Sequence, residues 1–174
     1  MAKVMIQNVL RFLAMIAIQV VLFKNIWYYN LASPFPYILI ILLLPLSTSN
    51  FFLYLLAFGT GLAVDAFYDS LGIHTAACVA LAWFRIAFVR VTLEMDVRQS
   101  SNSPSWGELG SKWYVSYVFF SILIHHFVLF VIEVFSFHNF LQTIGSIVLS
   151  SLSTFVIVML ISLLFYKRKS RLGI

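Results

Sequence analysis

Apolar stretches long enough to cross a bilayer recur along the whole chain, and the longest polar interval runs only from Glu94 to Lys112. Hydrophobic residues make up 62% of the sequence and charged residues 10%. Soluble globular chains lie nearer about half apolar and about a quarter charged. The pattern reads as an integral membrane protein. Its 174 residues suit one compact helical unit, residues 1–174, with no second domain.

Six spans are expected. They run roughly Met5 to Phe23, Pro36 to Leu46, Phe51 to Phe67, Gly72 to Val91, Trp113 to Phe135 and Ile144 to Tyr166. The first carries Arg11 and lacks a small-x-small site, so it reads as an uncleaved helix rather than a signal peptide. The second, PFPYILIILLLPL, is short and bracketed by Pro34, Pro36 and Pro45, which fits a half-span or a thin, kinked helix. A loop at about 92–112 and a basic tail at 167–174 complete the plan.

With both termini in the cytoplasm, the inner side collects Lys3, Arg11, Arg85, Arg90, Arg98, Lys112, Lys167, Arg168, Lys169 and Arg171. The outer side holds Lys24 alone. That asymmetry is the positive-inside signature. It also accounts for the net charge of +5 without a nucleic-acid partner. Arg11 and Arg85 fall within apolar runs and are expected to snorkel toward the cytoplasmic face. Trp27, Tyr28, Tyr29, Trp106 and Trp113 sit near span ends, where aromatic belts belong. The single Cys78 excludes an intrachain disulfide and reads as a small packing residue.

One stretch breaks the apolar pattern: GLAVDAFYDSLGIH, from Gly61 to His74. On a helix Ala57, Gly61, Asp65 and Asp69 share a stripe, and Gly72, Ala76 and Ala80 repeat the small-residue spacing in the next span. Two such faces allow close helix packing in lipid, so a tight hairpin is expected with its turn outside, near Ser70 and Leu71. Asp65 then sits at a helix C-terminus, where the dipole disfavours an anion. Lys24, His74 and the backbone amides opening the fourth span are the candidates to compensate it. A satisfied polar staple, a contact site for a partner or ligand, and metal binding by Asp65, Asp69 and His74 are the readings open to this corner, in falling order of weight.

A span ending GLxxD, a short polar turn, and LGxH opening another apolar helix that finishes with a basic residue resembles the MreD family of rod-shape-determining proteins. The matching residues are Gly61, Leu62, Asp65, Leu71, Gly72, His74 and Arg85, with the proline-bracketed YILIILLLP upstream. The second acid, Asp69, departs from the pattern. The resemblance implies an all-α fold of six transmembrane helices, similar to the substrate-binding subunits of energy-coupling-factor transporters. It implies a noncatalytic scaffold of the bacterial cell-elongation machinery in the cytoplasmic membrane. The implied partner is MreC, met through its transmembrane helix and membrane-proximal part. Through that complex come MreB filaments and a glycosyltransferase and transpeptidase of peptidoglycan synthesis. No cofactor or metal is implied.

In the fifth span, His125, His126 and Glu133 share a face, but about 11 Å of helix separates Glu133 from the histidines. Interhelical hydrogen bonds are therefore expected ahead of a proton relay. In the sixth, Ser146, Ser150, Ser151, Ser153 and Thr154 form a polar stripe suited to packing or to docking a partner's helix. GxSxG, HExxH, P-loop and paired-histidine phosphatase patterns do not occur, so no catalytic residues are expected. The rival reading is a vitamin-binding transporter subunit. Those dock through an AxxxA pair on the first helix, whereas Ala14 and Ala17 here stand three apart.

Overall fold

The computed structural model describes residues 10, 12–24, 32–100, 103–134 and 140–165. The start of the first span, Arg11, the aromatic group at 27–29 and the basic tail lie outside the described residues. Every element described is helical. Helix α1 is Phe12–Phe23, and its closing turn, Gln19–Phe23, widens into a π-helix. A 3-10 turn, Pro36–Ile38, leads into the one-turn helix α2, Leu39–Leu42. Helices α3 (Asn50–Tyr68) and α4 (Ile73–Thr92) form a hairpin. Two short helices follow, α5 (Met95–Ser100) and α6 (Trp106–Leu109), before α7 (Ser111–Val134) and α8 (Phe140–Leu164).

Helices α3, α4, α7 and α8 are each long and apolar enough to cross a membrane. This is a multi-pass helical membrane protein. Local chemistry sets the helix ends. Ser49 caps α3 by accepting the Phe52 amide at 3.4 Å. At the other end Asp69 takes the left-handed conformation (φ 55°) and returns its amide to the Asp65 carbonyl. Gly110, at φ 84°, separates α6 from α7.

Helix α7 runs antiparallel to α4. Trp113 Nε1 donates to Thr92 Oγ1 at 2.9 Å, and Arg85 Nε donates to the Tyr117 hydroxyl at 3.1 Å. Further along, Cys78 and His125 meet at the Tyr37 hydroxyl.

The centre of the bundle is the second segment. Residues 33–42 are buried without exception. Only four of them are α-helical, which explains the awkward proline-bracketed pattern: this stretch threads the core in a broken conformation. Tyr37 lies beside His74 and Leu44 beside Arg85, about 16 Å apart along α4 at 1.5 Å per residue. Irregular backbone at membrane depth survives only where protein, not lipid, surrounds it. Its polar groups must then find partners among side chains.

They do so one by one. Pro34 and Pro36 bring no amide hydrogen to satisfy. The Ser33 amide donates to Ser150 Oγ and the Phe35 amide to Thr154 Oγ1, each at 3.0 Å. Gln19 Nε2 donates to the Pro34 carbonyl at 3.3 Å, and the Tyr117 hydroxyl to the Leu42 carbonyl at 3.1 Å. Arg85 Nη2 donates to the carbonyls of Leu44 at 2.6 Å and Pro45 at 3.3 Å.

The snorkelling expected of Arg85 is thereby corrected: its side chain is 4% exposed. A guanidinium offers a fixed fork of donors, and the Leu44 and Pro45 carbonyls that follow α2 are a better set of acceptors than a long reach to water. The serine and threonine stripe of α8 is likewise turned inward, at Ser150 and Thr154, onto the broken segment.

Candidate polar site at the α3–α4 corner

Gly61 is where α3 and α4 come closest. A Cβ built on it would stand 2.3 Å from the Thr75 Cα, 2.7 Å from the Thr75 nitrogen and 2.8 Å from the His74 oxygen. These are backbone atoms, so no side chain can turn aside to make room. The expected tight hairpin is present, with its contact at Thr75. Ala57, Gly61 and Asp65 are buried along the predicted stripe, whereas Asp69 is exposed.

One turn beyond Gly61, Asp65 accepts four hydrogen bonds. Oδ1 takes the Ser70 hydroxyl at 2.6 Å and the His74 amide at 3.0 Å. Oδ2 takes the Thr75 amide at 2.9 Å and the Thr75 hydroxyl at 2.6 Å. The reason lies in α4. Its N-cap is Gly72, held at φ 83°, which has no side chain to cap the helix with. Asp65 supplies the missing acceptor from the neighbouring helix, at the second and third amides of α4, the two an N-cap residue ordinarily serves. The positive end of the α4 dipole thus offsets the unfavourable C-terminus of α3.

Of the candidate compensators, the backbone amides hold the carboxylate. Lys24 Nζ instead donates to the Phe67 carbonyl and lies 6.0 Å from the centroid of the Tyr68 ring.

His74 turns away from Asp65 into the core. Its Nδ1 is 3.1 Å from the Tyr37 hydroxyl, which lies 2.8 Å from His125 Nε2. A single phenolic group therefore links α4 to α7 through the broken segment. Next to it, His126 Nδ1 pairs with the Ile122 carbonyl at 2.9 Å and His126 Nε2 with Thr154 Oγ1 at 3.1 Å. Both histidines of α7 make the interhelical hydrogen bonds expected of them, and Glu133 stands exposed, away from them. Phe35 sits among these rings, with centroids 5.2 Å from His74, 6.2 Å from His125 and 5.6 Å from His126.

The structure brings Gly61, Asp65, Gly72 and His74 into one corner. It leaves Arg85 about 16 Å down α4, at the far end of the broken segment. It does not gather Asp65, Asp69 and His74 as ligands: the first is saturated by donors, the second faces out, and the third faces Tyr37. Among the described residues no group of three histidine, cysteine or acidic side chains could hold a metal ion.

Gln19, Tyr37, Tyr117 and Phe35 complete the network, and sequence reasoning passed over all four. Tyr37 follows a proline at a span start, within an otherwise apolar run that gives its hydroxyl no spacing signal. The lone Gln19 carried no spacing signal. What the arrangement does is hold helices at fixed distances: Asp65, His74, Tyr37, His126 and Arg85 each engage another part of the same fold. No family model, curated protein or solved structure matches the chain.

Proposed function

We propose that the chain is an MreD-like, noncatalytic scaffold of the bacterial cell-elongation machinery, working by association within the cytoplasmic membrane. Its partner is the transmembrane helix and membrane-proximal part of MreC. Through MreC it helps couple MreB filaments to the glycosyltransferase and transpeptidase that build peptidoglycan. The arrangement has six crossings, as in the substrate-binding subunits of energy-coupling-factor transporters, with the second crossing broken and both termini cytoplasmic.

One observation carries the reading: the glycines and polar residues of the GLxxD…LGxH pattern, with Arg85 beyond it, all have architectural roles. Gly61 sets the helix approach, Asp65 caps α4, Gly72 makes the turn, His74 binds Tyr37, and Arg85 closes the broken segment. Polar residues engaged in building a rigid bundle suit a scaffold better than an enzyme. Orientation is supported by charge: Arg90, Arg98 and Lys112 lie toward the α4–α7 end and Lys24 beside the α3 C-terminus. Outward apolar side chains such as Phe51, Phe58 and Leu62 on α3 and Leu152 and Leu160 on α8 are open to lipid and to a partner's helix.

The test is co-expression with tagged MreC trimmed to its transmembrane and membrane-proximal part, followed by purification in detergent. The chain is expected to co-purify in stoichiometric amount. Its absence from the eluate, together with specific binding of a vitamin by the purified chain, would replace this reading with the transporter one.

A further inference from the structure

His125 and His126 are neighbours on α7, both fully buried, yet their Nδ1 atoms are treated differently. His126 Nδ1 pairs with the carbonyl one turn back, at Ile122. His125 Nδ1 is buried without a hydrogen-bond partner. One turn back from His125 stands Ser121, whose Oγ is also buried and unpartnered, with 0% of the residue exposed. Two stranded polar groups on successive turns of one helix face are a specific arrangement, because unmade buried hydrogen bonds are costly.

The α4 side chains that face this pair are small. The antiparallel register that pairs Arg85 with Tyr117, and joins Cys78 and His125 at Tyr37, puts Ala82 opposite Ser121. Cys78 and Ala82 are small and fully buried. Side chains three or four apart on a helix have Cβ atoms about 5–6 Å apart, a gap that one water molecule spans with two hydrogen bonds. Helical side chains also lean toward the preceding turn, which directs the His125 ring toward Ser121.

We infer that one water molecule is bound inside the bundle, bridging Ser121 Oγ and His125 Nδ1 against Cys78 and Ala82. The proton count gives this site a definite role. The Tyr37 hydroxyl carries one proton between two imidazole nitrogens, so one histidine donates to it and the other accepts from it. His125 Nδ1 is bare in one arrangement and protonated in the other. Water donates to a bare nitrogen or accepts from a protonated one, so it satisfies His125 in both. Ser121 holds the water and thereby positions the His74–Tyr37–His125 chain. The inference is independent of which partner the chain docks.

The experiment uses histidine-15N-labelled full-length chain in lipid bilayers, read by solid-state NMR, with His125→Gln identifying the His125 signals. Magnetisation from water protons is expected to reach His125 Nδ1 in the wild type and to fall at least several-fold in Ser121→Ala, since a buried water needs two or more partners. His126 Nδ1, held by a carbonyl, is expected to receive none in either protein, and its unchanged shift reports that the fold persists. Absence of transfer to His125 in the wild type would overturn the inference. So would transfer that is undiminished in Ser121→Ala.

Discussion

Asp65 shows how a single side chain can be obvious in a sequence while the choice among its partners is not. An acid in an apolar run announces a polar partner, but the sequence offered a lysine, a histidine and backbone amides on equal terms. Geometry selects the amides of His74 and Thr75, with the hydroxyls of Ser70 and Thr75 beside them. Asp65→Ala strands buried donors at about 1–3 kcal/mol each. Asp65→Asn keeps one acceptor oxygen and turns an amide toward the other pair of donors, so its loss is intermediate. Melting temperature in detergent is expected to fall in the order wild type, Asn, Ala; an Asn variant as unstable as Ala would mean that charge itself holds the corner. Two nearby positions respond to backbone alone. Asp69 is exposed at φ 55°, and Asp69→Gly is expected to stabilise by about 1 kcal/mol, the strain of a left-handed residue with a Cβ. Gly61→Ala must separate α3 from α4, and is expected to lower the melting temperature more than any other single methyl addition on α3. A Gly61→Ala variant that melts like the wild type would show that the hairpin yields at little cost.

Element by element, the long spans were legible and the short one was not. Helices α3, α4, α7 and α8 declared themselves through uninterrupted apolar length. The second segment gave contradictory evidence: apolar enough for lipid, too short to cross as a helix, and crowded with proline. Those properties agree only once its surroundings are known, because the hydroxyls, amide and guanidinium that make it possible come from four other helices. No local window contains Gln19, Arg85, Tyr117 and Thr154 together. Thr154 and Arg85 therefore test the element. Thr154 Oγ1 serves both Phe35 and His126, so Thr154→Val, which preserves shape, is expected to cost about 1–3 kcal/mol. Arg85→Lys keeps the charge but loses the fork that joins Tyr117 to two carbonyls. It is expected to raise proteolytic cutting around Ser47, on the exposed turn that follows, while leaving the distant turn at Leu71 as resistant as before. Equal cutting at both turns would show global unfolding instead.

For the whole molecule, the question is whether a broken segment counts as a crossing. If it does, the segment's entry at Ala32 and the exposed turn at Ser47 lie on opposite faces of the membrane, and α3 returns the chain to the entry face at Leu71. The hydrogen bonds along the segment argue for this, since its beginning lies level with the start of α4 and its end with Arg85. The chain then needs no further span to bring its basic loops to one side. Cysteine labelling reads this directly. The native Cys78 is fully buried and small, so a Cys78→Ala background should fold normally. In that background Leu71→Cys, at a fully exposed residue, is expected to react with an impermeant reagent applied to intact spheroplasts. Ser47→Cys and Ser103→Cys are expected to react only after the membrane is opened. In the same background Ala32→Cys, at the segment's entry, is expected to react alongside Leu71→Cys; its reaction only after the membrane is opened, as for Ser47→Cys, would make the second segment a re-entrant plug rather than a crossing. The asymmetry of basic residues would then need another explanation.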